Sequence, residues 1–213
     1  MALVTDDFVF IHTPKTAGTW CREAILKKYP EAKDSNRNIL VPAGSIADMD
    51  DMGFSIPVEQ HASASAIERR LPEIAHLKFI GFVRHPVTWY SSMWSWAMRR
   101  RFGAEIASGE NELANRHWLA AVWSESFSEF IDRVLALQVP RAWVVFHEKL
   151  TRQNGLCEIG KYESLATNLY KLTGCTGIQS ERPRASGIQA VMSLSQEHAL
   201  KQLERETIRK WYS

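Results

Sequence analysis

The stretch Phe8-Val9-Phe10-Ile11-His12-Thr13-Pro14-Lys15-Thr16-Ala17-Gly18-Thr19-Trp20 constrains this chain more than any other. A short unbroken apolar run bounded by turn residues reads as a strand buried on both faces, as in a parallel sheet. Pro14 and Gly18 then punctuate a loop, after which Trp20, Ala24, Ile25 and Tyr29 recur at helical spacing until Pro30. A strand, a tight loop and a helix in that order aim successive backbone N–H groups and a helix N-terminus at one spot, which suits a phosphate or sulfate. Lys15 adds a mobile positive charge, Thr16 and Thr19 add hydroxyls, and Gly18 admits close backbone approach. The nucleoside-triphosphate pattern GxxxxGK[ST] is absent, because Lys15 precedes the glycine instead of following it. An ordinary strand-to-helix turn is the plain alternative, and the ordered combination of Pro, Lys, Gly and hydroxyls argues against it.

Two more apolar runs, Phe79–Val83 and Trp143–Phe146, read as further buried strands, and a weaker one falls near Ile56–Val58. Strands alternating with helical patterns predict an α/β fold with a central, mostly parallel sheet flanked by helices. Ser126 and Glu129 have capping-box spacing ahead of an apolar stripe made by Phe127, Phe130, Ile131, Val134 and Leu135. Leu165, Leu169 and Leu172 line another helix, closed by Gly174. Ser193 and Gln196 are placed to cap a last helix that carries Leu200, Leu203, Ile208 and Trp211. Residues 34–53 are rich in turn formers and read as loop.

Composition narrows the function classes. The chain has 213 residues, enough for one domain with a full core, and we read residues 1–213 as a single domain. Lys and Arg number 26 against 24 Asp and Glu, a net charge of +2 that excludes nucleic-acid binding through bulk charge. Cys21, Cys157 and Cys175 are odd in number and widely spaced, which favours a reducing compartment over a disulfide framework or a zinc site. No stretch has the length of a membrane span, and acidic Asp6 and Asp7 stand where a signal peptide would be basic. The expectation is a soluble, cytoplasmic protein.

A second anchor follows the strand at Phe79–Val83. Arg84-His85-Pro86 leads into a helix containing Ser91, Ser92 and Trp94, with Pro86 suited to a first helical turn. An arginine there can grip a phosphate bidentately, and a serine two turns on can add a hydroxyl to the same group. Pro14 to Trp20 resembles the 5′-phosphosulfate loop of sulfotransferases that use 3′-phosphoadenosine 5′-phosphosulfate (PAPS), and Arg84 with Ser92 resembles that family's 3′-phosphate element. His85 departs from it, since Asn or Asp is more usual there.

The resemblance implies a P-loop-like architecture of the carbohydrate-type and bacterial branch. It implies PAPS as sulfuryl donor, with Lys15, Thr16, Ala17, Gly18, Thr19, Trp20, Arg84 and Ser92 holding the nucleotide. His61, in His61-Ala62-Ser63-Ala64, is similar to a family segment whose histidine is the general base, so Lys15 and His61 are the expected catalytic pair. Of the other histidines, His12 reads as structural, and His76 and His198 as surface groups. Tyr162-Glu163-Ser164-Leu165 resembles a segment that opens a packing helix. Residues 182–187 resemble, loosely, a loop that closes over the adenosine, which adds Arg184 and Ser186 to the nucleotide set.

The implied partner is a carbohydrate or small-molecule acceptor with a hydroxyl or amine, without a metal. Most of the eight tryptophans read as core, and some as an acceptor wall. Arg99-Arg100-Arg101 reads as a solvated helix end, with contact to an anionic acceptor as the sharper alternative. The rivals are a P-loop kinase or NTPase with a divergent phosphate loop, and a non-catalytic nucleotide-binding module. The kinase would place an acidic residue at a neighbouring strand end, where this chain has Arg84.

Overall fold

The computed structural model describes residues 2–34, 62–99, 118–176 and 190–213 of a mixed α/β protein. The chain divides into two compact units: Met1–Gly44, Ile56–His85 and Val144–Arg184 form the first, and Ser45–Ser55, Pro86–Trp143 and Ala185–Ser213 the second. In chain order the strands are β1 (Leu3–Val4), β2 (Phe8–Ile11), β3 (Lys33–Asp34), β4 (Lys78–Val83), β5 (Thr151–Arg152), β6 (Gly155–Leu156) and β7 (Glu158–Lys161). The helices are α1 (Gly18–Lys28), α2 (Ala64–Arg70), α3 (Pro86–Arg99), α4 (Trp118–Val122), α5 (Phe127–Leu137), α6 (Arg141–Leu150), α7 (Leu165–Thr173), α8 (Leu194–Leu203) and α9 (Arg205–Tyr212).

Among the described residues, the first unit is built on a five-stranded sheet of order β3-β1-β2-β4-β7. β2 and β4 are the expected buried strands, and they run parallel with Ile11 opposite Gly81. β7 extends the parallel set, with Val83 opposite Lys161. β1 pairs antiparallel with both β2 and β3, so the sheet is mixed where a mostly parallel one was expected. The cause is local. The Thr5 hydroxyl accepts from the N–H groups of Asp7 and Phe8, closing a turn too short for the crossover that parallel pairing requires.

Alternation along the strands assigns the faces. Phe8, Phe10, Ile80 and Phe82 pack with Cys21, Ala24 and Ile25 of α1 and Leu169 of α7. On the other face, a Cβ at Gly81 would meet Leu150 Cδ2 of α6 at 2.2 Å, so the missing side chain lets that helix settle on the sheet. Buried Glu68 of α2 binds Arg152 at 2.7 Å, and that guanidinium lies 4.3 Å from the ring centre of Phe79. Gly174 (φ 67) closes α7 as expected.

The described residues of the second unit form helices around an aromatic core. Trp89 and Trp118 stack with ring centres 6.2 Å apart, and Trp94 and Phe127 lie 5.3 Å apart. These tryptophans are core residues. Ser193 and Gln196 form the full capping box of α8. At α5 the box is half made: the Ser126 hydroxyl accepts from Glu129 N–H, while the Glu129 carboxylate accepts from Ser124 and Arg133.

Two expectations fail here. Trp143–Phe146 is helical, inside α6, where a strand was expected. Ala142, Val145, Phe146, Lys149 and Leu150 are its buried positions, a helical repeat that the short apolar run conceals. The last helix is also broken, into α8 and α9, at Glu204. One group accounts for both. The buried Glu204 carboxylate accepts from Ala142 N–H (2.8 Å), Trp143 N–H (3.1 Å), Tyr90 O–H (2.7 Å) and Thr207 O–H (2.6 Å). It satisfies N–H groups at the start of α6 that would otherwise lack partners. Burial pushes the Glu204 carboxyl up, against these donors, and the Tyr90 phenol is pushed up by its own burial and then by Glu204.

No helix among the described residues is long and apolar enough to cross a membrane.

Candidate functional site

Parallel pairing brings the carboxyl ends of β2, β4 and β7 to one edge of the sheet, the edge at which open α/β sheets place their ligands. The segment following β2 is the predicted loop. Lys15 (φ 62) and Ala17 (φ 63) both adopt the left-handed conformation, which costs a non-glycine residue about 1–2 kcal/mol. Two such residues within three positions turn the chain sharply into α1. The loop is held from inside: the buried Thr16 hydroxyl donates to the Thr13 carbonyl at 2.9 Å. That hydroxyl was expected to face a ligand, and here it staples the loop. Thr19 is exposed, Lys15 is half-buried, and Trp20 packs against the core cluster beneath.

Helix α1 begins without a side-chain cap at Ala17 and without an acidic residue in its first turn. An outside anion therefore meets no competing carboxylate on that turn. Gly18 is needed for a reason the sequence did not reveal. A Cβ there would lie 1.9 Å from Cδ2 of the His12 imidazole, so the glycine makes room for His12. His12 is thus a packing partner of the loop. Cys21, three residues into α1, is buried, and burial pushes its thiol upward; burial likewise pushes Cys157 up to about 12. Neither has the character of a nucleophile.

Arg84 follows directly on β4. Its Nη1 donates to the Lys15 carbonyl at 3.3 Å, and its guanidinium lies 4.1 Å from the ring centre of Tyr162. The next backbone N–H, that of His85, donates to Glu163 Oε1 at 2.8 Å. Tyr162 and Glu163 belong to the short 3-10 turn Tyr162–Ser164 that follows β7. Three strand ends thus contribute to one cluster: Lys15 from β2, Arg84 from β4, and Tyr162 with Glu163 from β7. Sequence reading missed the last two as site residues, because β7 reads Glu158-Ile159-Gly160-Lys161 and carries one strongly apolar side chain. The signal available was the Tyr-Glu pair placed just before a helix.

Ser92 is half-buried in α3, which belongs to the second unit. His61, Arg184, Ser186, Arg100, Arg101 and the strand near Ile56–Val58 lie outside the described residues, as do residues 35–53 of the expected loop. Arg99 is exposed at the end of α3, and His76 and His198 are exposed. Among the described residues no three His, Cys, Asp or Glu side chains gather as a metal-ligand set. No protein-family model, curated protein or solved structure matches this chain.

Proposed function

We propose that this chain is a PAPS-dependent sulfotransferase of P-loop-like architecture, acting on a hydroxyl or amine of a carbohydrate or small-molecule acceptor. The observation that carries the reading is the reach of the Arg84 guanidinium to the Lys15 carbonyl. The two elements expected to take the two anionic ends of one nucleotide are neighbours at one sheet edge. The donor set fits such a ligand: a strained loop, an uncapped helix start, an ammonium and a guanidinium.

When bound, PAPS would supply an activated sulfuryl group, with adenosine 3′,5′-bisphosphate as the leaving group. A bond from sulfur to the acceptor's oxygen or nitrogen would form as the sulfur–oxygen bond to the phosphate breaks. In this reading Lys15 and the first N–H groups of α1 stabilise negative charge growing on the departing phosphate oxygen. Arg84 holds the 3′-phosphate through charge-assisted hydrogen bonds. His61 takes the acceptor's proton, and it enters on sequence grounds alone, as do Ser92, Arg184 and Ser186.

Calorimetry without metal tests the reading. Adenosine 3′,5′-bisphosphate should bind far more tightly than adenosine 5′-monophosphate. Arg84→Ala should remove most of that preference, a loss of about 1.5–3 kcal/mol. Equal affinity of the wild type for the two nucleotides refutes the assignment. Tighter, Mg²⁺-dependent binding of ATP or GTP would transfer the case to a kinase or NTPase. The expected preference without turnover of PAPS on any acceptor would leave a nucleotide-binding module.

A further inference from the structure

The contacts behind Arg84 have no role in the chemistry above, and they are specific. The guanidinium carries the Tyr162 ring 4.1 Å away, and the adjacent His85 N–H is held by Glu163 at 2.8 Å. We infer that Tyr162 and Glu163 are positioning residues: the turn after β7 sets the direction of Arg84 and thereby the preference for a nucleotide bearing a 3′-phosphate. This rests on the nucleotide reading of the site.

The physics follows from the two side chains. An arginine has several soft torsions, and a guanidinium left to choose among rotamers must be ordered when the anion arrives. An aromatic face fixes the plane of the fork and leaves the in-plane N–H groups available for hydrogen bonding. Glu163 acts one residue further on, at the backbone of His85, where the chain leaves β4 and enters α3 through Pro86. Its carboxylate binds the N–H of the residue next to Arg84, so its charge opposes anion binding there while its hydrogen bond favours it. The two effects separate chemically. A glutamine keeps an acceptor and removes the charge, whereas an alanine removes both.

Neither residue would touch the nucleotide, so each should affect the preference only through Arg84. The test measures binding of adenosine 3′,5′-bisphosphate and of adenosine 5′-monophosphate to the full chain, with melting temperature as a folding control. Tyr162→Leu should weaken the bisphosphate about three- to tenfold and leave the monophosphate unchanged. Tyr162→Phe should restore the preference, because the ring face is kept. Glu163→Ala should reduce the preference about threefold, and Glu163→Gln should keep or raise it.

The decisive comparison is a double-mutant cycle. In an Arg84→Ala background, Tyr162→Leu should cost nothing further for the bisphosphate. An equal loss for both nucleotides, or full additivity with Arg84→Ala, overturns the inference and leaves the nucleotide reading intact. A wild type without the preference removes both together. Glu163 is exposed, so its two variants test the idea even where Tyr162→Leu does not fold.

Discussion

Helices α1 and α6 begin in opposite ways. The start of α6 receives a buried carboxylate, Glu204, from more than sixty positions along the chain, on its Ala142 and Trp143 N–H groups. The start of α1 has no side-chain cap, no acidic residue in its first turn, and two left-handed residues leading into it. Both face the same requirement, because the first N–H groups of any helix lack intrahelical acceptors. In the second unit the fold supplies the anion itself, and the result is structural. In the first unit no side chain caps the helix start, and Lys15, whose carbonyl Arg84 reaches, precedes it; under the nucleotide reading proposed above, this is where an anion binds.

The comparison predicts that substitutions of Glu204 change stability, whereas loss of the Lys15 ammonium changes turnover. The largest effect belongs to Glu204→Ala, which leaves one buried and one part-buried N–H group and two buried hydroxyls without this acceptor. It should destabilise by about 3–5 kcal/mol in urea unfolding. Glu204→Gln should lose less, since an amide oxygen still accepts. Because burial raises the folded carboxyl above its unfolded value, the proton binds more tightly to the folded state. The contribution of Glu204 to stability is therefore greatest at acid pH and declines as pH rises through the folded value, and Glu204→Gln should lack this component. A loss below about 1 kcal/mol in Glu204→Ala would show that the carboxylate does not hold the start of α6.

Lys15→Ala should do the reverse. Stability should change little, because the side chain is half-buried, while turnover of PAPS should fall about 10²-fold or more, well beyond any loss of product-nucleotide affinity. Lys15→Arg should rescue poorly, being bulkier and planar. Near-normal turnover of Lys15→Ala at saturating donor removes Lys15 from the chemistry.

Gly18→Ala should cost about 1–3 kcal/mol by driving a methyl into the His12 ring. Made on a His12→Ala background, the same change should cost under about 1 kcal/mol. The same cost in both backgrounds would mean that His12 is not what requires the glycine. The smallest effect is expected at Ala17→Gly. Glycine tolerates φ 63 and is a better N-cap than alanine, so thermal melting should rise by about 2 °C, corresponding to about 0.5–1 kcal/mol. A fall in melting temperature would show that the left-handed turn at Ala17 carries no strain to relieve.

Local signals made much of the fold legible in advance. β2 and β4 are apolar on both faces and bounded by turn residues, so their own sequence identifies them. The starts of α5 and α8 were readable from Ser126 and Ser193, because a hydroxyl three residues from its N–H partner is a local contact. Gly174 at the end of α7 belongs with them. The loop from Pro14 to Gly18 was readable for the same reason, its shape and charge lying within a few residues.

What tertiary structure decided depends on groups far apart in the chain. Trp143–Phe146 has the composition of a strand, and it is helical because α6 starts on the carboxylate of Glu204 and packs Leu150 onto Gly81. Glu204 in turn interrupts a helical pattern that its neighbours would continue. The edge strand β7 is mostly polar, and its parallel pairing to β4 is what identifies it as a strand. At the candidate site, Lys15 and Arg84 could be singled out from the sequence, and folding decided their contact: Arg84 to the Lys15 carbonyl, with Tyr162 and Glu163 behind it. Spacing along a chain encodes what one turn or one strand can bring together. Contacts between strand ends nearly seventy residues apart arise only once the sheet has set its register.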